Sequence, residues 1–165
     1  MCSSDLLTGG SVFGLDSSGG VIRYLEEEGV GIKMGRITIP LVSAAVIFDL
    51  GFINHKVRPD IEDGYNAAKS ASSEFATGSV GAGTGATAAK FLGQPASIKG
   101  GIGTASVKVH GGATVGALIV VNAIGDVIDP DTGEIAAGPQ TENGFANSVD
   151  LMVNTPPKER GFFQI

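Results

Sequence analysis

The stretch VGAGTGATAAKFLG, from Val80 to Gly93, is the part of the sequence on which the interpretation of the whole chain depends. Four glycines crowd together at its start and just before it, namely Gly78, Gly81, Gly83 and Gly85. The small residues that follow predict a short helix from about Ala86 to Leu92, with Lys90 one turn into it. Because a glycine-rich loop that runs into a helix can bind phosphate, the stretch raises the question of a nucleotide site.

Two nucleotide-binding patterns fail at this stretch. A phosphate-binding Walker loop requires lysine directly after glycine and then Ser or Thr, whereas Lys90 lies five residues after Gly85 and precedes Phe91. A dinucleotide site requires an apolar strand before the glycines and an acidic residue about 20 residues later. Residues 72–77 do not form such a strand, and residues 101–105 contain no carboxylate. The stretch is therefore interpreted first as a tight-packing turn and second as an anion site.

Composition limits the class of protein. The chain has 165 residues, 42% of them hydrophobic and 17% charged, which is typical of one folded domain. The net charge of −6 without a basic cluster argues against nucleic-acid binding, and no apolar run reaches the roughly 18 residues that span a bilayer. Cys2 is the single cysteine, and His55 and His110 are far apart. The sequence therefore predicts no metal site and no cofactor.

Hydrophobic periodicity predicts helices and strands in an order typical of the α+β class. A hairpin is expected around Gly111 and Gly112, with strands at 106–110 and 113–121. The other predicted elements are a strand end at 6–8, a helix at 12–28, strands at 36–39 and 43–52, a helix at 61–73 and a short helix near 148–153. Helices packed on a mainly antiparallel sheet are the expected arrangement.

Six segments in unbroken order, from Leu6 to about Gly138, carry a resemblance to one family. They are LLTGGSVFGLD, PLVSAAVIFDLGF, VRPD followed by GYNAA, VGAGTGATAAKFLG, KGGIGTASV and VGALIVVNAIGDVIDPDTG. Together they resemble the self-cleaving N-terminal-nucleophile amide hydrolases of the DmpA type. That family includes L-aminopeptidase/D-amidase-esterases, β-peptidyl aminopeptidases and nylon-oligomer hydrolases.

The resemblance implies a four-layer αββα sandwich that is incomplete at both ends in this chain. Ornithine acetyltransferases resemble the same fold. It implies a precursor that cleaves its own backbone and exposes a new N-terminal Ser or Thr as nucleophile. The α-amine of that residue would serve as the base, because a hydroxyl needs an adjacent base to attack an amide.

Two residues match family positions close to this chemistry. Asn122 matches an asparagine that stabilises the tetrahedral oxyanion, a role suited to a side-chain amide N–H at a strand end. A turn-forming asparagine before Gly125 is the alternative. Lys90 matches a lysine near the site of nylon-oligomer hydrolases, where its charge gives electrostatic support. The alternative for Lys90 is a solvated lysine on a helix.

Three further residues are predicted to bind substrate. Phe48 matches an aromatic position that lines the pocket, although a core phenylalanine fits the pattern equally well. Gly10 and Ser11 belong to the TGGS segment and are expected at the same site. Aminopeptidase members place an acidic residue two positions before the aromatic one, where this chain has Val46. The amide substrate is therefore left open.

The two ends of the chain depart from the family pattern. Residues 1–6 match the translation of a sequencing-adapter tail and are predicted to be a non-native leader, with a short natural N-terminus as the alternative. Residues 7–165 are then one partial hydrolase domain. Asn154-Thr155 is the one candidate cleavage junction in the C-terminal tail, and the prolines after it cannot open a central strand. The nucleophile is thus expected outside this chain, in a missing C-terminal subunit, and the fragment is expected to be inactive.

The leading hypothesis is an amide-bond hydrolase acting on a small peptide or other amide. An acyltransferase of the same fold and a non-catalytic binding module are the alternatives. The resemblance further implies a homo-oligomer, and a cytoplasmic location is expected, without membrane or nucleic-acid partners.

Overall fold

The computed structural model describes residues 3–52 and 54–155, which contain three α-helices and twelve short strands. The helices are α1 Ser17–Glu27, α2 Ile61–Lys69 and α3 Ser148–Asn154. The strands are β1 Ser4–Thr8, β2 Ile32–Met34, β3 Ile37–Ile39, β4 Val42–Val46, β5 Thr87–Ala88, β6 Ile98–Lys99, β7 Ile102–Lys108, β8 Thr114–Val120, β9 Val127–Ile128, β10 Ile135–Ala137, β11 Gln140–Thr141 and β12 Gly144–Phe145. Short 3₁₀ helices lie at Ser11–Asp16, Gly81–Thr84 and Gln94–Ala96.

The strands of the described residues form six separate two-stranded sheets. β1 and β4 pair in parallel with Leu7 opposite Ala45, and the other five pairs are antiparallel. Helices combined with mainly antiparallel strand pairs confirm the α+β class. Among the described residues each strand pairs with one partner and no larger sheet forms, and the four-layer sandwich stays a prediction.

The predicted helix at 12–28 is helical as far as Glu27, but its first part is a 3₁₀ helix and α1 begins at Ser17. α1 packs against α2 through glycine. A Cβ on Gly20 would lie 1.8 Å from the carbonyl oxygen of Ile61, and a Cβ on Gly64 would lie 1.8 Å from that of Ser17. The two helices therefore touch backbone to backbone, which explains why α1 tolerates the helix-weakening glycine at position 20.

The start of α2 and the predicted hairpin follow local sequence signals. Asp60 caps α2 by accepting hydrogen bonds from the N–H groups of Glu62 and Asp63, while the Asp63 side chain accepts from the Asp60 N–H. β7 and β8 form the expected hairpin, with seven residue pairs. Gly111 and Gly112 both have positive φ, as a tight turn requires.

The helix predicted at residues 86–92 is wrong. Thr87–Ala88 is instead a strand that pairs with β6, and Ala89 has a φ of 56°, which no α-helix accommodates. The N–H groups of Ala89 and Lys90 donate to the carbonyls of Gly125 and Ile124, at 3.0 and 2.8 Å. Residues distant in sequence thus accept the backbone hydrogen bonds that carbonyls within a helix would have accepted.

Two strand and helix boundaries also differ from the sequence-based ones. The strand predicted at 43–52 ends at Val46, after which Ile47 donates to Thr8 and then accepts from the Ser11 N–H. The chain turns there, so residues 47–52 are not a strand. α2 ends at Lys69, before the predicted end at residue 73.

The most deeply buried segment is the one with which the sequence analysis began. Ala82, Ala86, Ala88, Ala89 and Phe91 are all buried, and they make up most of the apolar core. By contrast, large apolar side chains of the hairpin, such as Leu118 and Ile119, are exposed. No helix in the described part of the chain is long and apolar enough to cross a membrane.

β1 begins inside the predicted leader, since Ser4 and Asp5 pair with Val42 and Ser43 of β4. The origin of residues 1–6 stays a prediction, and Met1 and Cys2 lie outside the described residues. The junction candidate Asn154-Thr155 lies at the end of α3, and the prolines at 156 and 157 also lie outside the described residues.

Candidate functional site

Lys90 is buried, with 2% of its surface exposed, directly after β5. Its Nζ donates a hydrogen bond to Oδ1 of Asn122, 32 residues later in the chain. Burial lowers the pKa of the Lys90 ammonium, and the negative charge of Asp49 opposes that shift. Two residues that the sequence analysis placed at one site are therefore in direct contact.

The contact determines which way the Asn122 amide points. A lysine ammonium has donors and no acceptor, so the atom of Asn122 that it meets must be the carbonyl oxygen. The Nδ2 group is therefore not the atom of Asn122 that meets Lys90. Because the Asn122 amide is held by its oxygen, Nδ2 is the group of this side chain that could donate to an oxyanion.

Asn122 lies at the end of an apolar cleft of about 460 Å³ between the β1–β4 pair and β8. Asn122 is the one polar side chain among the described residues that line it. The others are Leu7, Ala45, Val46, Ile47, Leu118, Ile119 and Val120. Val46, the residue two positions before Phe48, therefore lines the same cleft as Asn122.

The three predicted substrate-binding residues lie elsewhere. Phe48 is half exposed and lines neither this cleft nor the larger one described below. Gly10 has a φ of 80° and its N–H donates to Asp49 Oδ1 at 2.8 Å. Ser11 has a φ of 54° and its N–H donates to the Ile47 carbonyl at 3.0 Å. None of the three touches the Lys90–Asn122 pair through a hydrogen bond, and their substrate contacts stay predictions.

Asp49 is a candidate that the sequence analysis missed. Besides accepting from Gly10, its carboxylate lies against Gly9 and Gly85, where an added Cβ would come within 2.4 Å of Oδ2 in each case. The signal was present, since Asp49 is the single charged residue in the apolar run SAAVIFDLGF. A lone carboxylate in such a run predicts a hydrogen-bond partner, because burying a carboxylate without partners costs free energy.

The glycine loop itself surrounds a cation. Lys99 Nζ donates to the carbonyls of Gly83, Ala86 and Gly100, at 2.7, 3.3 and 2.8 Å. Partial burial lowers the pKa of Lys99. A phosphate cradle needs N–H groups aimed inward, and here carbonyl oxygens meet a lysine instead. A Cβ on Gly83 would lie 2.3 Å from the carbonyl oxygen of Gly78, so the loop is tightly packed, although the helix expected to pack through it is absent.

A larger cleft of about 640 Å³ lies beside β1 and α2. Its wall is mostly apolar, with charged side chains from Asp49, Arg58 and Asp63. Arg58 stacks on the Phe13 ring at 3.6 Å from its centroid. Among the described residues no group of three or more His, Cys, Asp or Glu side chains is placed to hold a metal ion.

Comparison with known proteins places these observations in a family. The model of peptidase family S58 matches residues 3–153. An uncharacterized aminopeptidase of Mycobacterium bovis is 46% identical over 128 residues, covering 78% of this chain and 35% of that protein. An uncharacterized aminopeptidase of Mycobacterium leprae is 44% identical over 136 residues, covering 78% of this chain and 36% of that protein.

The chain thus spans about a third of the length of the curated relatives it matches. The family match, in contrast, covers nearly every residue that the structure describes. The resemblance seen in the ordered motifs is therefore confirmed, and the chain belongs to peptidase family S58, the family of DmpA.

Proposed function

We propose that the complete protein hydrolyses peptide or other amide bonds, and that Lys90 and Asn122 stabilise the oxyanion formed during the reaction. The observation that carries the proposal is the hydrogen bond from Lys90 Nζ to Asn122 Oδ1. Membership of a peptidase family and the aminopeptidase names of the relatives support the reaction class.

The chemistry of the pair is simple. When a nucleophile adds to an amide carbonyl, negative charge builds on the carbonyl oxygen, and a fixed N–H donor stabilises it. Asn122 Nδ2 is such a donor at the edge of an apolar cleft. The positive charge of Lys90 polarises the Asn122 amide and strengthens the N–H as a donor. The burial of Lys90 limits the screening of its charge by water.

The nucleophile completes the proposal. We place it, following the family resemblance, on a Ser or Thr that self-cleavage exposes in a segment beyond this chain. Its own α-amine takes the hydroxyl proton during attack and later returns it to the leaving amine. The processed protein is proposed to act as a homo-oligomer of the two cleaved parts.

The apolar cleft bears on the class of substrate. Because the carboxylate of aminopeptidase members is replaced by Val46, the cleft at Asn122 offers no charged partner for a free amine. An amide with an apolar group on its acyl side is the substrate that this lining favours.

The test uses the full-length gene with Asn122→Ala and a set of short peptides and arylamides. Loss of one oxyanion donor is expected to lower kcat about 100- to 1000-fold. Asn66→Ala is the matched control, since Asn66 is exposed on α2 and its side chain makes no hydrogen bond to the described residues. N-terminal sequencing of the processed protein identifies the nucleophile.

Two results would contradict the proposal. An Asn122→Ala enzyme with wild-type kcat would remove the oxyanion role. A full-length protein that stays uncleaved and yet hydrolyses amides would remove the self-generated nucleophile.

A further inference from the structure

Asp49 connects two loops that are far apart in sequence. Its Oδ1 accepts the Gly10 N–H at 2.8 Å, which ties it to the turn after β1. Its Oδ2 lies against the α-carbons of Gly9 and Gly85. The carboxylate therefore sits between the turn after β1 and the glycine loop that leads into β5.

The fit is tightest at Gly85, where a larger residue would meet the base of the Asp49 side chain as well as its carboxylate. A Cβ on Gly85 would meet three Asp49 atoms, Oδ2, Cβ and Cγ, between 2.4 and 2.8 Å. Real Cβ contacts are essentially never this close. Both glycines are thus small because Asp49 occupies the space beside them, and the three residues form one packed unit.

The glycine loop leads directly to Lys90. Residues 86–91 are nearly all buried, so a displacement of Gly85 is transmitted along a close-packed segment. The Asp49 charge also acts on Lys90 and opposes the effect of its burial on the ammonium. Arg58 and Asp63 are the other charged residues lining the cleft that Asp49 faces.

We propose that Asp49 is a positioning residue for Lys90. It holds the glycine loop that leads to Lys90 against the turn after β1, through its hydrogen bond to Gly10 and its packing against Gly9 and Gly85. This inference rests on the proposed function for its catalytic meaning, but the effect of Asp49 on Lys90 can be tested without catalysis.

The experiment follows the pKa of Lys90 by NMR of the ¹³Cε-labelled lysine, assigned with Lys90→Met. Asp49→Asn keeps the size of the side chain and an oxygen for Gly10, and removes the charge. We expect the Lys90 pKa to fall in Asp49→Asn. Asp63→Asn is the matched control, because Asp63 lines the same cleft and the amide can still accept the Asp60 N–H. It is expected to leave the Lys90 pKa unchanged.

An unchanged Lys90 pKa in Asp49→Asn, or an equal fall in Asp63→Asn, would each overturn the inference.

The full-length enzyme separates this inference from the proposed function. If Asp49→Asn moves the Lys90 pKa and also moves the pH profile of kcat in the same direction, both stand. If the Lys90 pKa moves while kcat and its pH profile stay at wild-type values, the positioning of Lys90 by Asp49 stands and the catalytic role of Lys90 fails.

Discussion

The close approach of α1 and α2 makes opposite predictions for two adjacent glycines. A Cβ on Gly20 would lie 1.8 Å from the Ile61 carbonyl oxygen and 2.5 Å from the Tyr65 nitrogen. These are backbone atoms of α2, so the helices must move apart to admit Ala. A Cβ on Gly19 meets only the Ile61 side chain, at 3.7 Å, which is ordinary contact.

Two opposing contributions determine how Gly20→Ala changes the free energy of unfolding. Overpacking typically costs about 1–3 kcal/mol, and Ala in place of Gly in a helix returns up to about 1 kcal/mol. We expect Gly20→Ala to lower the free energy of unfolding by about 1–2 kcal/mol, which lowers Tm by roughly 2–8 °C for a chain of this length. Gly19→Ala gains the higher helix propensity of Ala without overpacking, and is expected to stabilise the protein by up to about 1 kcal/mol.

Urea unfolding of the two variants and the wild type, followed by far-UV circular dichroism, measures the difference. The two substitutions are chemically identical and adjacent, so effects on the unfolded chain cancel in the comparison. If Gly20→Ala were as stable as Gly19→Ala, the backbone contact between the helices would be absent and the reasoning refuted.

Three further outcomes are expected. Because burial lowers the pKa of Lys90, the unfolded chain binds more protons than the folded chain in the alkaline range. The unfolding free energy of the wild type should therefore rise relative to that of Lys90→Met as pH increases toward the ordinary lysine pKa. A difference that does not depend on pH would contradict this. Lys99→Met should cost about 1 kcal/mol through three lost hydrogen bonds, against no change for the exposed control Lys108→Met, by thermal unfolding. Asp126→Ala removes both hydrogen bonds that anchor Ser148 at the start of α3 and should speed amide exchange in that helix, and unchanged exchange would count against the anchor.

Local signals predicted the elements whose partners are close in sequence. The hairpin around Gly111 follows from β-rich runs and a two-glycine turn, and α2 follows from its capping residue Asp60. The Gly19-Gly20 pair indicated close packing on α1, and the structure assigns that contact to Gly20 alone. Such features depend on interactions within a few residues, which a sequence displays directly.

Predictions that depended on distant partners failed or were incomplete. Residues 86–92 have small, helix-compatible side chains, yet the carbonyls of Ile124 and Gly125 and the strand β6 take their backbone hydrogen bonds. The run after Val46 has the composition of a strand, but the chain turns where Asp49 meets Gly10. Propensity is a weak preference that tertiary contacts override.

The sequence by itself determined the family, the α+β class and the identity of Lys90 and Asn122 as candidates, because ordered motifs and residue types are properties of the chain. Only the tertiary structure decided that these two side chains meet across 32 residues and that Asn122 lines an apolar cleft. It also showed that Asp49 links two glycine turns. The physical reason is that burial and the approach of distant segments arise from packing the whole chain, and a charge or amide acquires its chemistry from that surrounding.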